Sequence, residues 1–152
     1  MIDIESLLQM WSSDSKIDEI NLDVSSIETA SMHAKYLEIY SAGKLKLKRK
    51  ELEHAELKRD LWLYYNGKMT KDQMDERDWA YDPFDGCTKP MKSDMAMYYE
   101  CDPNMKECQM QLEECKVFVD TCKEILDTLR WRSSTIKNII EYKKFTSGAW
   151  WK

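Results

Sequence analysis

Residues 103–146 read PNMKECQMQLEECKVFVDTCKEILDTLRWRSSTIKNIIEYKKFT. Met105, Leu112, Val119, Leu126 and Ile140 keep one position of a seven-residue repeat, and Cys108, Cys115, Cys122, Leu129 and Ile136 keep another. Phe118, Ile125 and Ile139 widen this stripe to one side. Such a period, sustained over successive turns, is that of a helix buried along a seam. Asp102 ahead of Pro103 offers an N-cap and a proline at the first helical position, and Ser147–Gly148 offers a stop. One helix is expected over about 103–146, with Cys101 just outside it.

Upstream, no proline occurs before Pro83. Asp23 can cap a helix starting near Val24, and Ile27, Ala30, Ala34, Leu37 and Tyr40 recur along it. Gly43 costs about 1 kcal/mol in a helix without having to end it. Gly67, after Leu63-Tyr64-Tyr65-Asn66, is a strong C-terminal signal. A second long helix is therefore expected over about 24–66, with Ala42–Gly43 as its bend point. Thr70 and Gln73 form a capping box with Met69 as a staple, which starts a short helix over about 71–79. Ile4, Leu7, Leu8 and Trp11 mark another over about 3–11. WAYDPFDGCTKP, residues 79–90, carries the turn signals of a loop, and residues 91–101, MKSDMAMYYEC, read as a short strand.

The chain has 152 residues, 34% of them charged, with only 4 Gly and 3 Pro, which argues against a turn-dense sandwich or barrel. The expected architecture is mostly α: a single domain, 1–152, forming an elongated, coiled-coil-like long-helix subunit. Two helices above forty residues leave little single-chain core, so such a subunit should bury surface by self-association. No run of about 18 apolar residues exists, and MIDIESLLQMW lacks the form of a secretory signal, so no membrane is expected. Cys101, Cys108, Cys115 and Cys122 recur every seventh residue. Neighbours at that spacing on one helix lie roughly 10.5 Å apart, too far for a disulfide. With Cys87, these thiols read as small hydrophobes in a reducing cytoplasm.

The net charge of −5 conceals segregated blocks. Residues 44–68 carry 8 basic and 4 acidic groups, and residues 130–152 carry 6 and 1. A polyanion responds to local charge more than to the sum, because screening confines each field to about 10 Å. On a helix, Lys44, Lys48, Lys58 and Arg59 fall within a third of the circumference, with Trp62 on the same face. Leu45, Leu52 and Leu63 form an apolar row on one flank, and Leu47, Leu61 and Tyr65 form one on the other. Cations beside an aromatic suit single strands, since charge follows the backbone and rings stack on bases. A solvated charged face is the plainer alternative. In the second block Arg130, Lys137 and Lys144 share a stripe, Arg132 and Lys143 lie on another face, and Trp131, Tyr142, Phe145, Trp150 and Trp151 accompany them. This secondary patch suits DNA or a protein partner.

Catalytic and metal constellations are missing from the sequence: there is no phosphate loop, no dinucleotide fingerprint, and His33 and His54 stand far apart. No enzyme activity, metal or cofactor is expected. The acidic run Asp72, Asp75, Glu76 and Asp78 is explained by the first-turn preference for acids.

The stretches ELKRDLWLYYNGK (56–68) and ILDTLRWRSSTIKNIIEYKKF (125–145) resemble the UvsY recombination mediator proteins of T-even-type phages. The order, length and element pattern agree over nearly the whole chain. The resemblance implies a helical homo-oligomeric ring, a hexamer or heptamer, that binds single-stranded DNA. It implies a role in helping a phage recombinase replace the single-strand-binding protein on that DNA, in the cytoplasm of the infected bacterial host. Lys58 and Arg59 match the family's basic positions ahead of its Tyr-Tyr-x-Gly stop. Where the family carries a further basic residue this chain has Leu61, with Lys44, Lys48 and Lys50 in place to compensate. A coiled-coil scaffold that touches only proteins fits the long heptad pattern equally well.

Overall fold

The computed structural model describes residues 2–84, 86 and 89–148. Its elements are α1 (Ile4–Asp14), α2 (Leu22–Tyr65), α3 (Lys71–Arg77), a 3-10 turn (Lys92–Asp94), α4 (Met95–Cys101) and α5 (Pro103–Thr146). No strand occurs among the described residues. The two long helices stand where the apolar spacing and the stop signals place them, each 44 residues long. The chain forms two compact units, one of residues 1–46 with 114–152 and one of residues 47–113.

In the first unit, α1 and the start of α2 pack on α5 around Leu7, Tyr36, Phe118, Cys122, Ile125, Leu126 and Leu129. Trp11 meets Tyr36 edge-on at 5.4 Å. The Tyr36 hydroxyl, on a fully buried ring, donates to Asp14 Oδ2 at 2.8 Å, and Lys35 donates to the same oxygen at 2.6 Å. Partial burial opposes ionisation of Asp14, but these two donors outweigh it and hold its carboxyl below the usual range. Burial pushes the Cys122 thiol up to about 11, so it packs as a protonated hydrophobe. Gly43 leaves α2 unbroken. A Cβ there would lie 3.0 Å from the Phe118 ring, so the glycine serves close approach of α2 and α5.

In the second unit, Leu57, Leu61 and Met105 form one cluster, flanked by Tyr65, Trp79, Tyr99 and Cys108. Tyr64, Met69 and Met74 form another. The Thr70–Gln73 capping box is complete, and buried Met69 and Met74 make its staple. At the end of α2, Gly67 has φ 68°; its N–H donates to Tyr64 O, and Lys68 N–H donates to Leu63 O at 2.8 Å. That pair of bonds is a Schellman stop, which only a residue at ease in the left-handed region closes without strain. Asp102 Oδ1 accepts from the N–H groups of Asn104 and Met105 at 2.9 and 3.0 Å, so α5 starts as expected, and Oδ2 accepts from the Tyr65 hydroxyl at 2.7 Å.

Four expectations need correction. Residues 91–101 are not a strand: they form the 3-10 turn and α4. Buried Met95 and half-buried Tyr98 and Tyr99 have i, i+3, i+4 spacing, and Tyr98 packs on Tyr65 and Phe84 at 5.3 and 5.8 Å. Asp23 lies inside the first turn of α2 rather than capping it; the turn ahead is closed by Asp18, which accepts from Ile20 and Asn21 N–H. Residue 78 ends α3 early, because Asp78 turns left-handed at φ 57° and frees Trp79 to pack on Tyr64 at 4.9 Å. Helix α1 extends to Asp14, whose side chain is held by Lys35 and Tyr36. Cys87, Trp150 and Trp151 lie outside the described residues.

Candidate nucleic-acid interface

In the second unit, His54, Lys58 and Trp62 succeed one another at i, i+4 along one row of α2. Lys58 is exposed, with Nζ 5.4 Å from the centre of the Tyr99 ring of α4. Trp62 is 39% exposed and has Lys68 Nζ 4.6 Å from its ring centre. Each ring is thus covered by a mobile ammonium, an arrangement worth about 0.5–1 kcal/mol at an exposed site.

Arg59 lies beside this row with 68% of its side chain exposed, donating to Asp60 Oδ1 at 3.1 and 2.9 Å. Asp60 Oδ2 accepts from Arg77 at 3.1 and 2.6 Å. Burial raises the cost of ionising Asp60, but the two guanidinium groups outweigh it and keep the carboxyl below the usual range. One carboxylate between two guanidinium groups leaves a surplus positive charge. Lys48 faces Glu51 at 3.7 Å, both exposed, a pairing of little energetic weight. Lys50 is half-buried and donates to Glu53 at 2.9 Å and Gln111 at 3.2 Å, which ties it to the unit's own surface. The Leu61 row faces the core, whereas Leu52 is exposed.

In the first unit, Lys44 is exposed with Nζ 5.3 Å from the Tyr40 ring centre. Lys137 and Lys144 are exposed, and Arg130 pairs with Asp127 at 3.3 Å. Trp131, Tyr142 and Phe145 all stand more than half exposed beside them. Arg132 departs from this patch. It is only 6% exposed, and its guanidinium donates to the carbonyls of Asp14 and Ser15 at 3.3 Å and of Lys16 at 3.5 Å. It satisfies the C-terminal carbonyls of α1, where a cation also suits the helix dipole. Lys143, on the same side, donates to the Glu19 carbonyl.

Two contributors escaped the sequence reading. Tyr99 was hidden by the strand assignment, and the partnership of Lys68 with Trp62 depends on the turn at Gly67. Among the described residues, no group of three or more His, Cys, Asp or Glu is placed to hold a metal ion. No helix among them is long and apolar enough to cross a membrane.

Helical units that set the exposed Lys58, Arg59 and Lys68 beside Trp62 and Tyr99, and Lys137 and Lys144 near Trp131 and Tyr142, define a helical binding protein with local surfaces suited to phosphates and bases. A family model described as "Recombination, repair and ssDNA binding protein UvsY" matches residues 10–149, and the chain belongs to that family. No curated protein matches the chain. Among solved structures, it is similar to the bacteriophage T4 recombination mediator protein UvsY in lattice type II, with TM-score 0.81 and 21% identity over 97% of this chain and 99% of that one. The same T4 protein in lattice type I gives TM-score 0.78 and 21% identity over 93% and 98%. In lattice type IV it gives 0.77 and 19% over 95% and 99%. At this identity the likeness establishes the shared helical fold.

Proposed function

We propose that this chain is a non-enzymatic recombination mediator. It binds single-stranded DNA and helps a phage recombinase displace the single-strand-binding protein, acting as a homo-oligomeric ring in the cytoplasm of the infected host. Membership of a recombination, repair and ssDNA-binding family supports the reading. The observation that carries it in this chain is the exposed row of Lys58 and Trp62 with Arg59 beside it, cations next to rings on a rigid helix. Lys44 and Lys48 extend the same chemistry along α2, each in its own unit, and Lys50 contributes less because it is engaged locally. Lys137 and Lys144 form the secondary patch, for DNA or for a protein partner.

Phosphate binding fixes the test. Fluorescence anisotropy with a labelled oligonucleotide should show affinity falling with salt at a log–log slope of about −0.7 per phosphate neutralised. Lys58→Ala with Arg59→Ala should weaken binding of all sequences alike and flatten the slope by about 1.4. Asp60 keeps Arg77 as a partner in that variant, so the fold and the oligomer should be retained. Salt-insensitive binding, or none at low salt, would falsify the reading. The exposed Trp131, Tyr142 and Phe145 favour a second reading for the C-terminal part of α5, that of a protein-docking face.

A further inference from the structure

Phosphate binding alone does not explain a groove of the second unit between α2, α4 and α5. It has a volume of about 200 Å3 and is lined by His54 and Lys58 of α2, Tyr99 and Glu100 of α4, and Met105 and Gln109 of α5. Its floor is apolar, since Met105 is 3% exposed and Tyr99 packs against the Leu57–Leu61–Met105 cluster. One polar atom on its wall is shielded from solvent: His54 Nε2 has no hydrogen-bond partner among the described residues. A buried ring nitrogen without a protein partner is costly to keep, and a water or a ligand in the groove can supply the missing bond. The remaining component is a half-buried aromatic ring whose cover is a single flexible ammonium, 5.4 Å from its centre.

We propose that this groove is a nucleobase subsite, in which a base of single-stranded DNA stacks on Tyr99 in place of the Lys58 ammonium. This rests on the single-strand-binding reading above and deepens it. The exchange is cheap because an exposed cation–π contact is weak and Lys58 gains a phosphate when it swings off the ring. Stacking is indifferent to base identity, as a mediator acting on any sequence requires. The edge of the base meets the Gln109 amide, which donates and accepts, and, where the Lys58 chain swinging aside uncovers it, His54 Nε2, which does one or the other according to tautomer. Glu100 sets the orientation: its carboxylate repels a phosphodiester from the groove and accepts from exocyclic amines, so the backbone runs on the Lys58 side and the base points in. Trp62, one turn further along the row, carries its own lysine cover in the same way.

The test compares a labelled oligo-dT with an abasic strand of equal length by anisotropy across salt. The wild-type protein should bind the base-bearing strand about tenfold more tightly, with equal salt slopes, since both strands offer the same phosphates. Tyr99→Leu, which keeps an apolar side chain against the cluster, should remove most of that preference and leave only what Trp62 supplies, and Tyr99→Phe should restore it. A 5-iodouracil strand photocrosslinked to the wild-type protein and mapped by mass spectrometry should attach at Tyr99, a readout independent of any variant. Equal wild-type affinities, a tenfold preference surviving in Tyr99→Leu, or crosslinks confined to other segments would overturn the subsite while leaving phosphate binding intact. Failure of both strands to bind at low salt would overturn the subsite and the single-strand reading together.

Discussion

Arg132 and Lys137 come from the same basic stretch of α5 and have opposite fates. Lys137 is exposed, whereas Arg132 is buried against the end of α1 with three carbonyls as acceptors. A guanidinium suits that position because its planar fork spreads several donors across successive carbonyls, which an ammonium cannot do. Arg132→Met should therefore lower stability by about 1–3 kcal/mol, as buried carbonyls lose their partners, with the change read from urea midpoints. The affinity of the remaining folded protein for single strands should not change. Lys137→Ala should do the reverse, staying within about 0.5 kcal/mol of wild type in stability while weakening binding at the secondary patch. A stable Arg132→Met variant with lost DNA affinity would return Arg132 to the binding surface.

At the scale of elements, Asp102 joins two helices of the second unit. One carboxylate oxygen caps α5 and the other takes the Tyr65 hydroxyl from the last residue of α2. Asp102→Ala should lose about 0.5–2 kcal/mol from the cap alone, and more from the stranded Tyr65 hydroxyl. Asp102→Asn, whose Oδ1 can still cap α5 while its Nδ2 can only donate to the Tyr65 oxygen, should fall between, and thermal or urea unfolding would rank the three. This cap was legible beforehand, as were the Thr70 capping box, the Gly67 stop and both long helices, because their signals lie within a few residues or repeat many times. Residues 91–101 were not legible. Over so short a stretch the pattern does not separate strand from helix, and Tyr98 packing on Tyr65 and Phe84 settles the matter from outside the segment. The candidate site divides the same way. Lys58, Arg59 and Trp62 follow from spacing on one helix, but Tyr99 is contributed by another. A helical wheel also cannot tell which cations a neighbouring element will cover, and for that reason it left Arg132 on the surface.

For the whole molecule, the acidic excess of −5 sets a limit on what one chain can do. A short exposed row with Lys58 and Arg59 at its centre neutralises few phosphates, and the acidic remainder repels the rest of a strand. Binding by a single chain should therefore be weak and only modestly salt-dependent. In the proposed ring the row is repeated in every subunit, and a strand held by one subunit meets the next at high effective concentration. The consequence is a dependence on oligonucleotide length. Affinity should rise steeply once a strand is long enough to reach a second subunit, and the salt slope should steepen with it, by about 0.7 for each further phosphate engaged. Dilution to the point where mass photometry shows dissociated subunits should bring the long strand's affinity down to that of the short one. A slope and an affinity that ignore both strand length and assembly would instead mean that one chain binds by itself, and the acidic excess would then have to be overcome by contacts other than these cations.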